Sequence, residues 1–404
     1  MSQPDLEPHA PLPGEHGDPL VDVDEYSAAY GETLTETLNL DNWASGIDLE
    51  SLYQRLEAEI APAIEQERRI QEVVREELFD LLAAAADAPP EAGVHTAVPA
   101  DLQEVTRKVL FSGQLETCDG TTVTHDTLLV TVTQIGICLV SYQGHELALS
   151  QRLFRRDLRI GAPDPTEEVR ALLERRQSRT ATGVTDRHDT LSELGRRGIM
   201  TYAERATLLH RSQAAWRMGH GNPVPYELLT GSGSMDLLGA AITVLEELID
   251  YQQFVFVPSA IKDRVLLTLG AALHPLEYAV VFTGEAAMRR VVKGGHYGED
   301  WHRRVRQFVD RNGPKIAIGV YRAGPHSPAT PFFAHVDRVH EAAHIAMADS
   351  LLQEHRGFPL SIDLADSACR AVFGGGAFDD AVTAAYQTHG EPARYLTERQ
   401  TRPH

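Results

Sequence analysis

Four acidic residues, far apart in the chain, carry the strongest suggestion of chemistry. Asp119 stands before Gly120 and Thr121, Glu204 in the helical stretch TYAERATLLH, Glu227 in PVPYELLTGSG and Asp366 in GFPLSIDLADSA. Hydrolysis of a phosphodiester by paired hard cations needs several carboxylates around ions roughly 3.5–4 Å apart, which activate water and stabilise the leaving oxygen. Four acids on three or four elements around one sheet edge can supply that set. Each also has a plainer reading, since Asp before Gly is first of all a turn former. A second, louder motif is His340-Glu341-Ala342-Ala343-His344. Two His at i and i+4 share one helix face and can bind zinc, with Glu341 as general base. No third ligand stands at a diagnostic spacing, Ala343 is small for such a helix, and Asp337 and Arg338 lead in where apolar residues are usual. The plainer reading is an amphipathic surface helix.

The elements that must position these residues follow from hydrophobic period. Leu52, Leu56, Ile60, Ile64, Ile70, Val74, Leu78 and Leu81 recur at helical spacing, so 49–82 reads as one long helix or a helical pair, kinked or split at Pro62. AAAADAPPEAG (83–93) is a linker. Alternating and β-branched runs broken by Asp-Gly and Gln-Gly predict three antiparallel strands, Gln114–Cys118, Leu128–Thr133 and Ile135–Tyr142. In this reading Asp119 ends the first of them. A charged helix (165–179), a loop and a longer helix (Ser192–Trp216) follow, then a short strand Pro225–Leu229 carrying Glu227 and a helix Met235–Leu248. Strands Phe254–Val257, Tyr278–Phe282, Lys315–Tyr321 and Phe332–Val336, and helices Asp263–Leu273, Val339–Gln353 and Ile362–Phe373, complete the reading. Three meandering strands, then helix, strand, helix, strand, is the order of an RNase H-like α/β core. Such a core is a mixed sheet with helices on both faces, here behind an N-terminal helical extension.

Composition limits the alternatives. The 404 residues hold 37 Lys plus Arg and 58 Asp plus Glu, a formal net charge of -21. Residues 1–100 hold 22 of the acids and only 4 of the bases, so the body is nearly neutral behind an acidic front. Arg152, Arg155, Arg156 and Arg159 can line a basic groove or form a solvated helix face. Three Cys cannot staple a chain this long, and no Cys-x-x-Cys pair marks a zinc ribbon. No apolar run approaches the ~18 residues of a membrane helix, and the first 20 residues lack the basic and apolar regions of a signal peptide. These features predict a soluble, cytoplasmic protein with a Pro-rich, acidic and disordered stretch at 1–20. The domains expected are an acidic tail (1–48), a helical extension and linker (49–93) and a catalytic body (94–404).

The acids and their order resemble the NurA family of nucleases over roughly residues 105–400. Asp119-Gly120-Thr121 is similar to the family's Asp-Gly-Ser at the end of a strand. Glu204 matches its helical metal-binding Glu, and Glu227-Leu228-Leu229 stands where the family has a strand ending in an acid. Lys262-Asp263 matches a Lys-Asp loop, and Gly357-Phe358-Pro359 with Ala365-Asp366 matches Gly-Tyr-Pro followed by Ala-His. Phe358 lacks the Tyr hydroxyl, and Asp366 replaces a His. The resemblance implies a Mn²⁺-dependent (or Mg²⁺-dependent) DNA nuclease with two ions per site. It further implies 5′-end trimming and single-strand cutting in DNA end processing, by a homodimer docked on a HerA-type hexameric ATPase. Asp119, Glu204, Glu227 and Asp366 would be its ligands and Lys262 a contact to DNA. Carboxylate oxygens suit such hard ions independently of the resemblance. The chain has no Walker A lysine motif, so any pumping of DNA falls to a partner. His220 and His335 lie beside expected sheet edges, where either can reach a phosphate or be structural. The competing readings are a zinc hydrolase built on His340, Glu341 and His344, and a degenerate adaptor of an ATPase ring.

Overall fold

The computed structural model describes residues 23–43, 49–85, 88–126, 131–144, 148–156, 193–260, 263–294 and 298–393. The expectations for 1–20, for the helix at 165–179, for Arg159 and for Lys262 lie outside these residues. The chain divides into two compact units, one ending at Arg68 and one beginning at Arg69. The first holds helices α1 (Val23–Tyr30) and α2 (Leu34–Leu38), α2 opened by a capping box of Thr33 and Glu36, and most of α3 (Leu49–Val73). α3 runs through Pro62 unbroken. An interior proline forfeits a hydrogen bond at a cost of about 3 kcal/mol, and the Ala, Glu, Gln and Arg on either side are strong enough helix formers to carry the helix past it.

The second unit is built on one nine-stranded mixed sheet among the described residues. Its strands are β1 (Gly93–Thr96), β2 (Leu115–Asp126), β3 (Thr131–Val140), β4 (Ala148–Arg156), β5 (Trp216–His220), β6 (Phe254–Val257), β7 (Glu277–Thr283), β8 (Ile316–Arg322) and β9 (Thr330–His335). The spatial order is β1-β7-β8-β9-β6-β5-β2-β3-β4. β2, β3 and β4 form the antiparallel meander, and β5 and β6 lie parallel to β2. That is the order and direction of an RNase H-like core, extended past β6 by four antiparallel strands.

Helices cover both faces. After α4 (Pro99–Val105), the chain supplies α5 (Glu193–His210), α6 (Tyr226–Leu229), α7 (Met235–Tyr251) and α8 (Arg264–Ala271), then α9 (Glu285–Gly294), α10 (Glu299–Asn312), α11 (Val339–Ser350), α12 (Leu360–Phe373) and α13 (Gly375–Thr388). On one face Cys118, Ile135 and Ile137 pack with Leu208 of α5 and Leu248 of α7. On the other, Leu115, Met218 and Val255 pack with Ala342 and Ala346 of α11 and Ile362 of α12. The alternation of neighbouring residues between faces is the period of a strand covered on both sides.

Several local expectations are corrected. The meander breaks differently: Thr131–Val140 is one strand, and the third begins at Ala148. Arg152, Arg155 and Arg156 lie on β4, so they do not form a helix face. The stretch expected as one helix to Trp216 ends at His210, because Trp216–His220 is needed as a central strand. Residues Tyr226–Leu229 form a helical turn rather than a strand, since Leu228 and Leu229 are both buried beside Val224 in one cluster with α7, α9 and α10.

A buried polar network fixes α12 against the sheet. The helix starts at Pro359, which offers no side-chain cap. Asp349, fully buried at the end of α11, takes that role, accepting from the Ser361 N–H at 3.1 Å and the Ser361 hydroxyl at 2.5 Å. The Tyr142 hydroxyl also donates to it. Thr117 of β2 donates to the Ser361 Oγ at 2.8 Å. Burial raises the Asp349 pKa to about 6 against these hydrogen bonds. A carboxyl raised in the folded state stabilises fully below its unfolded value, and that stability is lost as pH rises through the folded one. Relative to an Asp349→Asn variant, the wild type should therefore lose roughly 3 kcal/mol between pH ~4 and ~7, read by urea unfolding across that range. A difference independent of pH would mean that Asp349 is ionised throughout.

Candidate active site

β2 and β5 pair in parallel only from Leu115 to Cys118, after which β5 ends at His220 and β2 continues with β3 alone. A cleft of about 600 Å³ opens there, lined by Asp119 and Gly120 of β2, Glu204 of α5, His220 of β5, Glu227 of α6, and Phe358 and Asp366 at α12. The C-terminal ends of parallel strands are the usual ligand position of an open α/β sheet. All four sequence-predicted acids reach this one cleft.

Asp119 does not end its strand. β2 runs on to Asp126, with Gly120 paired to Ile137. The glycine serves α5 instead of a turn: a Cβ at position 120 would stand 2.6 Å from Glu204 Oε1 and 2.9 Å from Met200. Its absence lets the Glu204 carboxylate come up against the strand beside Asp119. Gly357 is the other required glycine, at φ +60 and with the Pro328 carbonyl 2.8 Å from any Cβ. Its turn brings Phe358 edge-on to His220, ring centroids 6.1 Å apart.

Glu204 is 6% exposed and Arg205, beside it, 2%. The Arg205 guanidinium donates to Glu204, to the Thr201 carbonyl at 3.2 Å, to Asn222 O at 2.5 Å and to Pro223 O at 3.3 Å, and it lies over the Phe256 ring. It thereby clamps the loop after β5 to α5. Desolvation raises the Glu204 pKa to about 7 in spite of Arg205, and the negative charge of Asp119 adds to the rise. His220 Nδ1 stands 3.6 Å from Asp119 Oδ1, and that carboxylate raises the His220 pKa against burial.

Glu227 and Asp366 are held differently. Glu227 pairs with Arg197 at 2.6 Å, and Asp366 pairs with Arg370 at 2.8 Å. Asp363, also in the cleft, pairs with Arg356. The expected cradle of four converging ligands is thus only half formed. Among the described residues no three His, Cys, Asp or Glu side chains close around one point as a metal cage would. The donor chemistry at Asp119 and Glu204 nevertheless fits a hard divalent cation. Two carboxylates repel each other at a buried point, and Mg²⁺-like ions bind through one or two carboxylates while keeping waters and taking phosphate oxygens.

The His340 motif is not a second centre. Its helix is not amphipathic: Val339, Ala342, Ala343 and Ile345 are all buried in the main core. His340 Nδ1 shares a hydrogen with the Tyr278 hydroxyl at 2.8 Å, and its Nε2 meets Glu91 at 3.1 Å. Both ring nitrogens are thereby taken by protein. His335 is buried, its Nδ1 accepting from the Asp337 N–H at 3.2 Å, and is structural. Residues that sequence reasoning missed are Arg205, Arg197, Arg356 and Arg370. Arginines on helices read as solvated, and only their spatial partners mark them.

No family model matches the sequence, and no curated protein is similar to it. Among solved structures the chain is similar to the NurA nuclease from Sulfolobus solfataricus. That match has 8% identity and a TM-score of 0.43, and covers 83% of this chain and 97% of that one. A NurA structure with manganese is 8% identical with a TM-score of 0.39, covering 83% and 98%. NurA bound to dAMP and manganese is 8% identical with a TM-score of 0.38, covering 86% and 99%. Among the described residues no helix is long and apolar enough to cross a membrane.

Proposed function

We propose that the cleft is the active site of a divalent-metal-dependent DNA nuclease. The observation that carries this reading is the convergence of Asp119 and Glu204, remote in sequence, at one buried point. Glu227, Asp366 and four arginines line the same cleft. Asp119 and Glu204 would hold the ion, Mn²⁺ or Mg²⁺, which when bound polarises a phosphoryl oxygen and lowers the pKa of water. A second ion, the other half of the expected pair, requires Glu227 or Asp366 to exchange its arginine for metal.

The remaining roles fall to this chain's own residues. Arg205 holds the Glu204 carboxylate in one orientation. Arg197, Arg356 and Arg370 stand where phosphates of a bound strand would lie, their guanidinium forks suited to phosphate oxygens. His220, kept protonated more readily by Asp119, holds a proton at the edge of the cleft for a leaving oxygen. Phe358 packs edge-on beside the His220 ring. Action from 5′ ends and on single strands, in DNA end processing, by a homodimer docked on a HerA-type ATPase, is the finer reading, supported by the motif order in the sequence.

The test is cleavage of labelled linear DNA by the purified chain. EDTA should abolish cleavage, and Mn²⁺ should restore it better than Ca²⁺, which tolerates loose geometry that phosphoryl transfer does not. Restoration by zinc alone would contradict the assignment. No cleavage with any divalent ion, even beside an ATPase partner, would favour the degenerate adaptor.

A further inference from the structure

We infer that the hollow between α9 and α10 is a second nucleic-acid contact, seating a backbone phosphate of the DNA strand that leaves the cleft. The inference rests on the proposed nuclease reading for the identity of the polymer.

The charge there runs against that of the chain. Between Glu285 and Lys315 bases outnumber acids eight to four, in a protein of net charge -21. α9 buries Met288 and Val292, and α10 buries Trp301, Val305, Phe308 and Val309, so their bases face outward. Most are already neutralised. Arg289 bridges Glu285 at 2.6 Å and Asp310 at 2.7 Å, Arg303 and Arg304 share Asp300, and Lys315 meets Asp250 at 2.8 Å. Arg290, Lys293 and Arg306 make no ion pair among the described residues. Lys293 and Arg306, with Arg289, line a hollow of about 260 Å³ whose other walls are Val292 and Val309. No carboxylate lines it. Arg289 is already bridged to Glu285 and Asp310, which leaves Lys293 and Arg306, over an apolar floor, as the cations suited to an anion.

Position makes that anion part of a strand. α6 carries Glu227 into the cleft, and its Leu228 and Leu229 pack with Met288 of α9 and Trp301 of α10. The Trp301 indole donates to the Leu229 carbonyl at 3.1 Å. The wall of the cleft and the floor of the hollow are therefore adjoining elements. Arg197 pairs with Glu227 of α6, and the helices packed behind α6 are the ones that carry Lys293 and Arg306. Exposed cations bind a single phosphate weakly in water, whereas a polymer that releases counterions at several points binds appreciably.

The test uses the full chain with Lys293→Ala and Arg306→Ala combined. Both side chains are exposed, so the fold should survive. In EDTA, anisotropy is read for labelled single strands of about 30 and about 6 nucleotides, the shorter filling the cleft alone. For the longer strand, the slope of log affinity against log salt should become shallower by about 1.4, two contacts at ~0.7 each. The wild-type advantage then shrinks about sevenfold between ~50 and ~200 mM salt. The shorter strand should be unaffected. An unchanged slope for the longer strand overturns the inference. So does a variant that loses only binding of polyglutamate, which would make the strip a surface for acidic protein. Cleavage of the shorter strand with Mn²⁺ is scored separately. A lost salt slope without cleavage keeps the strip as a DNA contact while the nuclease reading fails.

Discussion

Asp119→Asn should lower Mn²⁺-supported cleavage by at least about 10²–10³-fold, the scale of losing one preorganised electrostatic group at a reacting centre. The substitution keeps the shape of the side chain and its place on β2, so unfolding cannot account for the loss. It also makes a prediction that a structural role would not. Asp119 adds to the raised Glu204 pKa of about 7. Removing its charge should bring that pKa down and leave the metal-free protein at pH 8 as stable as the wild type or more so. The sign follows from linkage: a carboxyl raised in the folded state stabilises fully below its unfolded pKa, and that contribution is lost as pH rises through about 7. Mn²⁺ should raise the melting temperature of the wild type at pH 8 and leave that of Asp119→Asn nearly unmoved. A variant that remains active, or is stabilised by Mn²⁺ as the wild type is, would sink the metal assignment.

Arg205→Met should be the most destabilising single change in the cleft, costing roughly 3–5 kcal/mol. This arginine is 2% exposed and satisfies two carbonyls of the loop after β5 as well as the Glu204 carboxylate. Methionine fills most of its volume, so the cost comes from the buried charge left alone and the carbonyls left without donors, not from a cavity. In a Glu204→Gln background the same substitution should cost less, by a coupling of about 1–3 kcal/mol. It should also cost less at pH 5, where Glu204 is protonated, than at pH 8. Urea unfolding of the four proteins of this cycle at both pH values measures each quantity. Simple additivity would mean that the two side chains do not act as a pair.

The core of the sheet was legible because its signals are local. FVFV at 254–257 and the strands near 278 and 316 are short apolar runs whose neighbours mark their ends. Glu204 was legible because its helix has a clear period. Asp119 was legible as a residue but not as a conformation. Asp-Gly reads as a turn, and only a carboxylate arriving from residue 204 gives the glycine its reason to sit inside a strand. Trp216–His220 is not legible for a similar reason: the helical reading runs on to Trp216 and leaves 217–220 without an element. Its five residues carry no local strand signal strong enough to end the preceding period, yet β2 and β6 need a strand between them.

By itself the sequence determined the class of donor, the order of the acids along the chain and the α/β alternation that brings them to one edge. Side-chain chemistry and hydrophobic period are properties of a residue and its near neighbours. Tertiary structure alone decided which acid stands beside a partner. Asp119 and Glu204 meet where a parallel strand stops, while Glu227 and Asp366 are each drawn to an arginine. It also decided that His340 is occupied by Tyr278 and Glu91, and that Arg205 is buried. Ion pairing, desolvation and the pKa shifts they cause depend on distances between residues far apart in the chain. No spacing along a sequence encodes those distances until the sheet has closed.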